Sequence, residues 1–341
     1  MALEPVAYQP YRDPDDFIRE VTDRIWVDRD VDHIVDNYEP DSVVHVALGT
    51  ITGRDEVITG STMRMAASAL QPGSMPGQAA DVVWEARGGD AFLSSHLVFR
   101  AEDQLHAGRL CHVELHSVAN CLYRRGRMVE EWIARDGLAR ALQTGQDPDE
   151  LARGLVFRGY SGSWVERAPA DPLAEGDSGP RPDDYRAECQ VVLELVEEVW
   201  NKRNFARLKD LMVRDVFLHS SGGRTYIRPK GYQDETLRPL LAFPSGRFEV
   251  RDLQTNYAIR YAGLRISVLW KFVAPYDGQP LYGPTTNQPV DLLGVSQFLV
   301  QEGKIVRERR IYDEVALRAQ INAARGDGAE PSDVTPNIYF F

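Results

Sequence analysis

The stretch GRMVEEWIARD, Gly126 to Asp136, has a second copy in GKIVRERRIYD, Gly303 to Asp313. Without gaps, the two share Gly, Val, Glu and the closing Asp. Two further matches keep the same order. PDDF (Pro14 to Phe17) is echoed by PDDY (Pro182 to Tyr185), each with Pro where a first helical turn accepts it. WVDRDVDHIVDNYEPDSVVH (Trp26 to His45) lies over WNKRNFARLKDLMVRDVFLH (Trp200 to His219). A repeat in one order constrains the architecture more than any local pattern, and a length of 341 residues is itself long for one core. Two copies of one domain are expected, at 1–160 and 183–325. The Pro-, Gly- and acid-rich stretch between them has no apolar period, so 161–182 reads as a linker, with a tail at 326–341.

Each copy has the same coarse order. A first helix carries Phe17, Val21 and Ile25 on one face, and its counterpart Cys189, Val192, Val196, Val199 and Trp200. A short helix, a short strand ending at His45 or His219, and a helical stretch (Arg54 to Ala69, or Tyr232 to Ala242) follow. The remainder reads as long antiparallel strands. The fold class is therefore α+β, a curved sheet wrapping a helix and leaving a cavity at its open end.

Bulk properties remove several functions. A net charge of -12 repels phosphate and anionic lipid, so neither nucleic acid nor membrane is an expected partner. The acidic, Pro-rich start and the lack of a long apolar run lead to the expectation of a cytoplasmic protein. Cys111, Cys121 and Cys189 have no CxxC spacing, so neither disulfides nor a thiolate zinc site is indicated.

LLAFPSGRFEVRDL (Leu240 to Leu253) and LYGPTTNQPVDLLGVSQFLVQEGKIVRERRIYDEVALRAQI (Leu281 to Ile321) resemble the SnoaL-like polyketide cyclases of the nuclear-transport-factor-2-like superfamily. The first copy resembles the end of that pattern more closely, with Trp132 and Gln143. The resemblance implies two tandem cone-shaped α+β barrels, each with an apolar pocket. It implies aldol chemistry on a small hydrophobic, aromatic or polyketide-like substrate, without cofactor or metal. It also implies that the closing aspartate, Asp136 or Asp313, is the acid/base. Arg309 stands where the family has Trp.

Alternation puts Trp132, Ala134 and Asp136 on one strand face, and Arg309, Ile311 and Asp313 likewise. An apolar wall there would raise the Asp pKa; the alternative is that each Asp caps the helix that follows. His45 and His219 are structural residues or pocket groups. In CHVELHS, alternation groups His112, Glu114 and His116, with His96 on a neighbouring strand. These form a polar pocket wall, a solvated face, or a metal site of two His and one carboxylate. Arg307 and Arg309, with Tyr282, Thr286 and Asn287 on the turn before the long strand, bind a carboxylate or enolate oxygen, form a solvated face, or make a domain-interface ion pair. GYSGSW (Gly159 to Trp164) is a flap or a packed connection.

The expectation is a cofactor-independent cyclase, isomerase or lyase. Its main site lies in the histidine-rich first copy: Asp136 as acid/base, His45, His96, His112 and His116 as partners, and Trp132 as apolar wall. Glu114, Asp313, Arg309, His219 and Tyr282 complete the candidate contacts. The domains pack as a pseudo-dimer, with a further homodimer left open. The alternatives are a non-catalytic binding scaffold and a metal enzyme at His112, Glu114 and His116.

Overall fold

The computed structural model describes residues 2–66, 77–159, 185–258 and 263–330. The expected linker, nearly all of GYSGSW and most of the tail lie outside them. Helix α1 (Pro14–Trp26) starts with Pro in its first turn, and the Asp13 side chain accepts from the Asp16 N–H at 2.8 Å. It buries Phe17, Val21 and Ile25, as the spacing anticipates. There follow α2 (His33–Asn37), β1 (Tyr38–Val46), β2 (Gly49–Thr52), α3 (Arg54–Ala66), β3 (Gly77–Ala86), β4 (Ala91–His106), β5 (Arg109–Arg124), β6 (Arg127–Arg135), α4 (Gly137–Thr144) and α5 (Pro148–Phe157).

The second half repeats the order. Helix α6 (Tyr185–Glu194) runs on as a π-helical turn, Leu195–Asn201, then come α7 (Leu208–Leu211), β7 (Met212–Ser220), β8 (Arg224–Ile227), α8 (Arg228–Ala242), β9 (Arg247–Ala258), β10 (Gly263–Pro275), β11 (Pro289–Gln301), β12 (Lys304–Tyr312) and α9 (Glu314–Arg325). Cys189, Val192, Val196, Val199 and Trp200 are buried.

The sheets have matching strand orders, β2-β1-β6-β5-β4-β3 and β8-β7-β12-β11-β10-β9. The protein is α+β, with two tandem domains of one topology. The wholly antiparallel sheet expected from sequence is corrected in one respect: β1 pairs parallel to β6, and β7 to β12. These partners are joined through nearly the whole domain, which is the long connection that parallel pairing requires. The short strands β2 and β8, strand β3 and helix α5 were not anticipated. Each sheet curls around its first helix, so that Phe17, Val21 and Ile25 meet Phe92, Tyr123 and Ile133 on the inner face.

The outer faces pack against each other. Leu93, Leu97, Val118, Trp132 and Ala134 of the first domain form one cluster with Leu269, Leu293, Val295 and Ile311 of the second. The equivalent residues Ser95 and Ser267 meet there, Oγ to Oγ at 2.6 Å, where a dimer would have its dyad. At the margin, Asp81 accepts from Arg309 at 2.6 Å and Arg307 at 3.1 Å. Burial alone would raise the Asp81 pKa, but these arginines outweigh it and hold the carboxyl below its usual range. Cleavage at a protease site engineered into 166–182 should leave the halves eluting together on gel filtration without denaturant; separate elution of folded halves would contradict the joint core.

Candidate functional site

Alternation along β6 decides which residues enter the first cone. Trp132 and Ala134 lie on the face toward the second domain, whereas Glu131, Ile133 and Arg135 line the cone. Glu131 is buried, 7 % exposed. Tyr38 Oη donates to its Oε2 at 3.4 Å, and the Cys121 thiol lies 3.5 Å from its Oε1 on the neighbouring strand. Burial lifts the Glu131 pKa to about 7, against the opposing pull of Arg135 and the two side-chain bonds. Its proton is therefore exchangeable near neutrality.

His96, from β4, also reaches this cavity. Its Nε2 is 3.3 Å from Thr22 Oγ1, and its Nδ1 is buried with no hydrogen-bond partner. Burial lowers its pKa to about 4, leaving a neutral imidazole. Arg64, Arg100 and Arg135 form the inner wall, and they also line a second small cavity that reaches Asp136 and Asp313. The cone has about 30 Å³ of free space, room for a water or two.

The second cone has the same carboxylate in another setting. Glu308 matches Glu131 in the repeat, but Arg310 stands where the first copy has Ile133 and binds Glu308 at 2.7 and 3.1 Å. Tyr232 Oη and Ser296 Oγ also donate to Glu308. The Arg310 guanidinium lies 4.6 Å over the Trp200 ring. Trp270 stands where Val98 lines the first cone, and a Cβ added at Gly294 would come within 2.1 Å of it. Indole and ion pair fill this interior.

The expected site residues separate into distinct places. Asp136 caps α4, accepting from the Ala139 N–H at 3.0 Å, and also from Gly222 N–H at 2.6 Å and Gly223 N–H at 3.1 Å of the other domain. Burial raises its pKa and these donors pull it back. Asp313 caps α9 through the N–H groups of Val315 and Ala316. Burial chiefly, and the nearby Asp136 charge, move it to about 7. Both aspartates thus have the capping role weighed from sequence, at a wall between the domains.

Trp132 is corrected from pocket wall to interface core, 1 % exposed. His45 stacks on it at 5.3 Å and lies 3.0 Å from Glu130, so it too is outside the cone. His112 and Glu114 project to solvent, because that face of the β5 end is uncovered. His112 pairs with Asp103 at 3.0 Å. His116 instead meets His219 across the domains, Nδ1 to Nε2 at 2.9 Å. His112, Glu114 and His116 therefore do not converge, and among the described residues no group of three or more His, Cys, Asp or Glu is placed to hold a metal ion.

Burial, with Arg309 nearby, lowers both interfacial histidines to about 4. Together with Asp136 and Gln143 they border a solvent-open cleft of about 420 Å³ between the domains. Arg309 serves the interface ion pair. Tyr282 is core, stacked near Phe243 under Arg318. Of the expected residues, only His96 lines the first cone. Glu131, Tyr38 and Cys121 were missed, although Glu131 is one of the identities between GRMVEEWIARD and GKIVRERRIYD.

The family model described as SnoaL-like polyketide cyclase matches residues 190–321, the second domain. The first domain repeats the element order and strand order of this matched domain. Solved structures that it resembles include a SnoaL-like protein from Jannaschia sp. CCS1, at 18% identity, covering 43% of this chain and 99% of that one with a TM-score of 0.37. A SnoaL-like polyketide cyclase from Agrobacterium tumefaciens C58 has 19% identity, 39% and 96% coverage and a TM-score of 0.32. TsrD from Streptomyces laurentii has 13% identity, 42% and 99% coverage and a TM-score of 0.35. No curated protein matches the chain. No described helix is long and apolar enough to cross a membrane.

The raised Glu131 pKa has a stability consequence of definite sign. Between about 4.5 and 7 the folded chain keeps a proton that the unfolded chain has lost, so this stabilisation is complete below 4.5 and disappears as pH rises through 7. The cost is about 3 kcal/mol. Glu131→Gln should remove it, so the variant gains about that much stability relative to the parent from pH 4.5 to 8 in urea titrations. His96, His116 and His219 act in the opposite sense on acidification, and this difference between the two chains cancels them.

Proposed function

We propose that the first domain is the reaction chamber of a cofactor-independent small-molecule enzyme of the SnoaL-like kind. It carries out aldol cyclisation, isomerisation or elimination through an enolate, on a small aromatic or polyketide-like substrate. The observation that supports this most is Glu131, a buried carboxylate in the cone with a pKa of about 7. A base must hold and release a proton near the working pH, and burial gives Glu131 that poise. Its deprotonated form takes the proton α to a carbonyl. His96, neutral and with Nδ1 unbonded, donates to or accepts from the developing oxyanion according to its tautomer. The substrate enters by parting the side chains of the narrow cone.

Asp136, the acid/base that the family resemblance implies, is assigned a different part. Three backbone N–H groups occupy its oxygens, one at the helix N-terminus, where negative charge is already favoured. It holds the strand end and the second domain in place. The second domain, its cone filled by Trp270 and the Glu308–Arg310 pair, acts as the scaffold.

The test is a pair of variants assayed on a compound that the parent turns over in a screen of poly-β-carbonyl substrates. Glu131→Gln should lower kcat by roughly 10²- to 10⁴-fold and abolish the limb of the pH profile near 7. Asp136→Asn should cost about 1–3 kcal/mol of stability and leave kcat of the folded enzyme within about tenfold. Unchanged turnover in Glu131→Gln, with the fold intact, would sink the assignment.

A further inference from the structure

The acid/base scheme leaves three cations of the first cone without a use, one of them buried and two partly so. Arg64 from α3, Arg100 from β4 and Arg135 from the end of β6 line both the cone cavity and the second cavity beside it. Arg100 is 5 % exposed, and its guanidinium lies 5.4 Å over the Trp26 ring. Its Nε is buried and has no hydrogen-bond partner. Glu102 lies 3.9 Å from Arg64. Burial first, and then the charge of Arg64, pull the Arg135 pKa down to about 10, against the opposing charges of Glu131, Asp313 and Tyr38.

Like charges gathered away from water are costly, and an anion that accepts from several of them removes both the repulsion and the unsatisfied donor. The repeat supports a specific purpose. In strand register, Phe272 and Tyr312 of the second domain stand where the first has Arg100 and Arg135. The filled cone has thus exchanged two of the three cations for aromatic rings, while the cone with free space retains them.

We propose that the first cone binds its ligand through a carboxylate held by Arg64, Arg100 and Arg135, with the remainder of the molecule directed along the wall toward Glu131 and His96. The planar guanidinium fork matches a carboxylate in two parallel hydrogen bonds, which orients the molecule as well as attracting it. This names the substrate class of the reaction chamber proposed above and rests on that reading: an aromatic or polyketide-type acid.

The test uses the full chain with benzoate as probe and benzamide as its neutral isostere, at constant ionic strength. Thermal midpoint and tryptophan fluorescence are read together, because Trp26 lies beneath Arg100. Benzoate should raise the midpoint and change the emission, and benzamide should do neither at the same concentration. Arg100→Met should weaken benzoate at least tenfold with circular dichroism unchanged. If that variant fails to fold, Arg100→Lys keeps the charge without the fork and should also weaken benzoate. Equal binding of acid and amide, no binding of benzoate, or benzoate affinity unaltered in the folded Arg100 variant would overturn the proposal. The two readings fail separately: Glu131→Gln leaves the arginines in place and should retain benzoate binding, so its turnover bears on the acid/base reading alone.

Discussion

The packing of the two sheets through their outer faces is the constraint from which the rest follows. Trp132, Ala134 and Ile311 meet Leu93, Leu269, Leu293 and Val295 there, with Ser95 and Ser267 bonded at the centre. Burying an indole of this kind removes an area on the order of 150–250 Å² from water, so the contact resists being opened. Because side chains alternate strictly along a strand, committing Trp132 to the interface commits Glu131 and Arg135 to the cone. One apolar contact on the outside thereby chooses the chemistry on the inside.

The repeat shows how little has to change for one buried carboxylate to take two settings. Glu131 and Glu308 occupy the same strand position in the same fold. In the first copy an apolar neighbour, Ile133, leaves the carboxylate to burial, which makes its ionised form expensive. In the second copy Arg310 supplies the counter-charge from the same face, and Tyr232 and Ser296 complete the bonding. A satisfied buried pair of this kind holds the interior together, with both carboxylate oxygens of Glu308 occupied.

The sequence therefore carried the fold more openly than the site. Spacing of apolar residues located the first helices, and matching segments in one order located the duplication, because both signals are local or internal to the chain. The parallel seat of β1 beside β6 was not legible, since the pairing joins segments far apart and leaves no periodic trace. For the site, alternation correctly grouped Trp132 with Asp136, but alternation has no sign: it cannot say which face turns inward. Assigning the inward face by the family resemblance selected Trp132 and Asp136, when the adjacent Glu131 and Arg135 were the ones enclosed. The histidines failed for a related reason. His112 and His116 share a strand face, but one end of that face is covered by the second domain and the other by water.

The closing aspartates, the most visible identity of the repeat, connect the two halves rather than duplicating a site. Asp136 holds Gly222 and Gly223 of the second domain, and Asp313 shares a cavity wall with Arg64, Arg100 and Arg135 of the first. The charge on Asp136 raises the pKa of Asp313, and Asp313 in turn supports the charge of Arg135. Arg135 opposes the elevation of the Glu131 pKa. A carboxylate of the second domain thus lies two interactions from the proposed base of the first, and removing that domain would both strip the interface core and change the electrostatics of the cone. The two domains of the chain are on this account one working unit, in which the filled cone contributes to the shape and charge of the other.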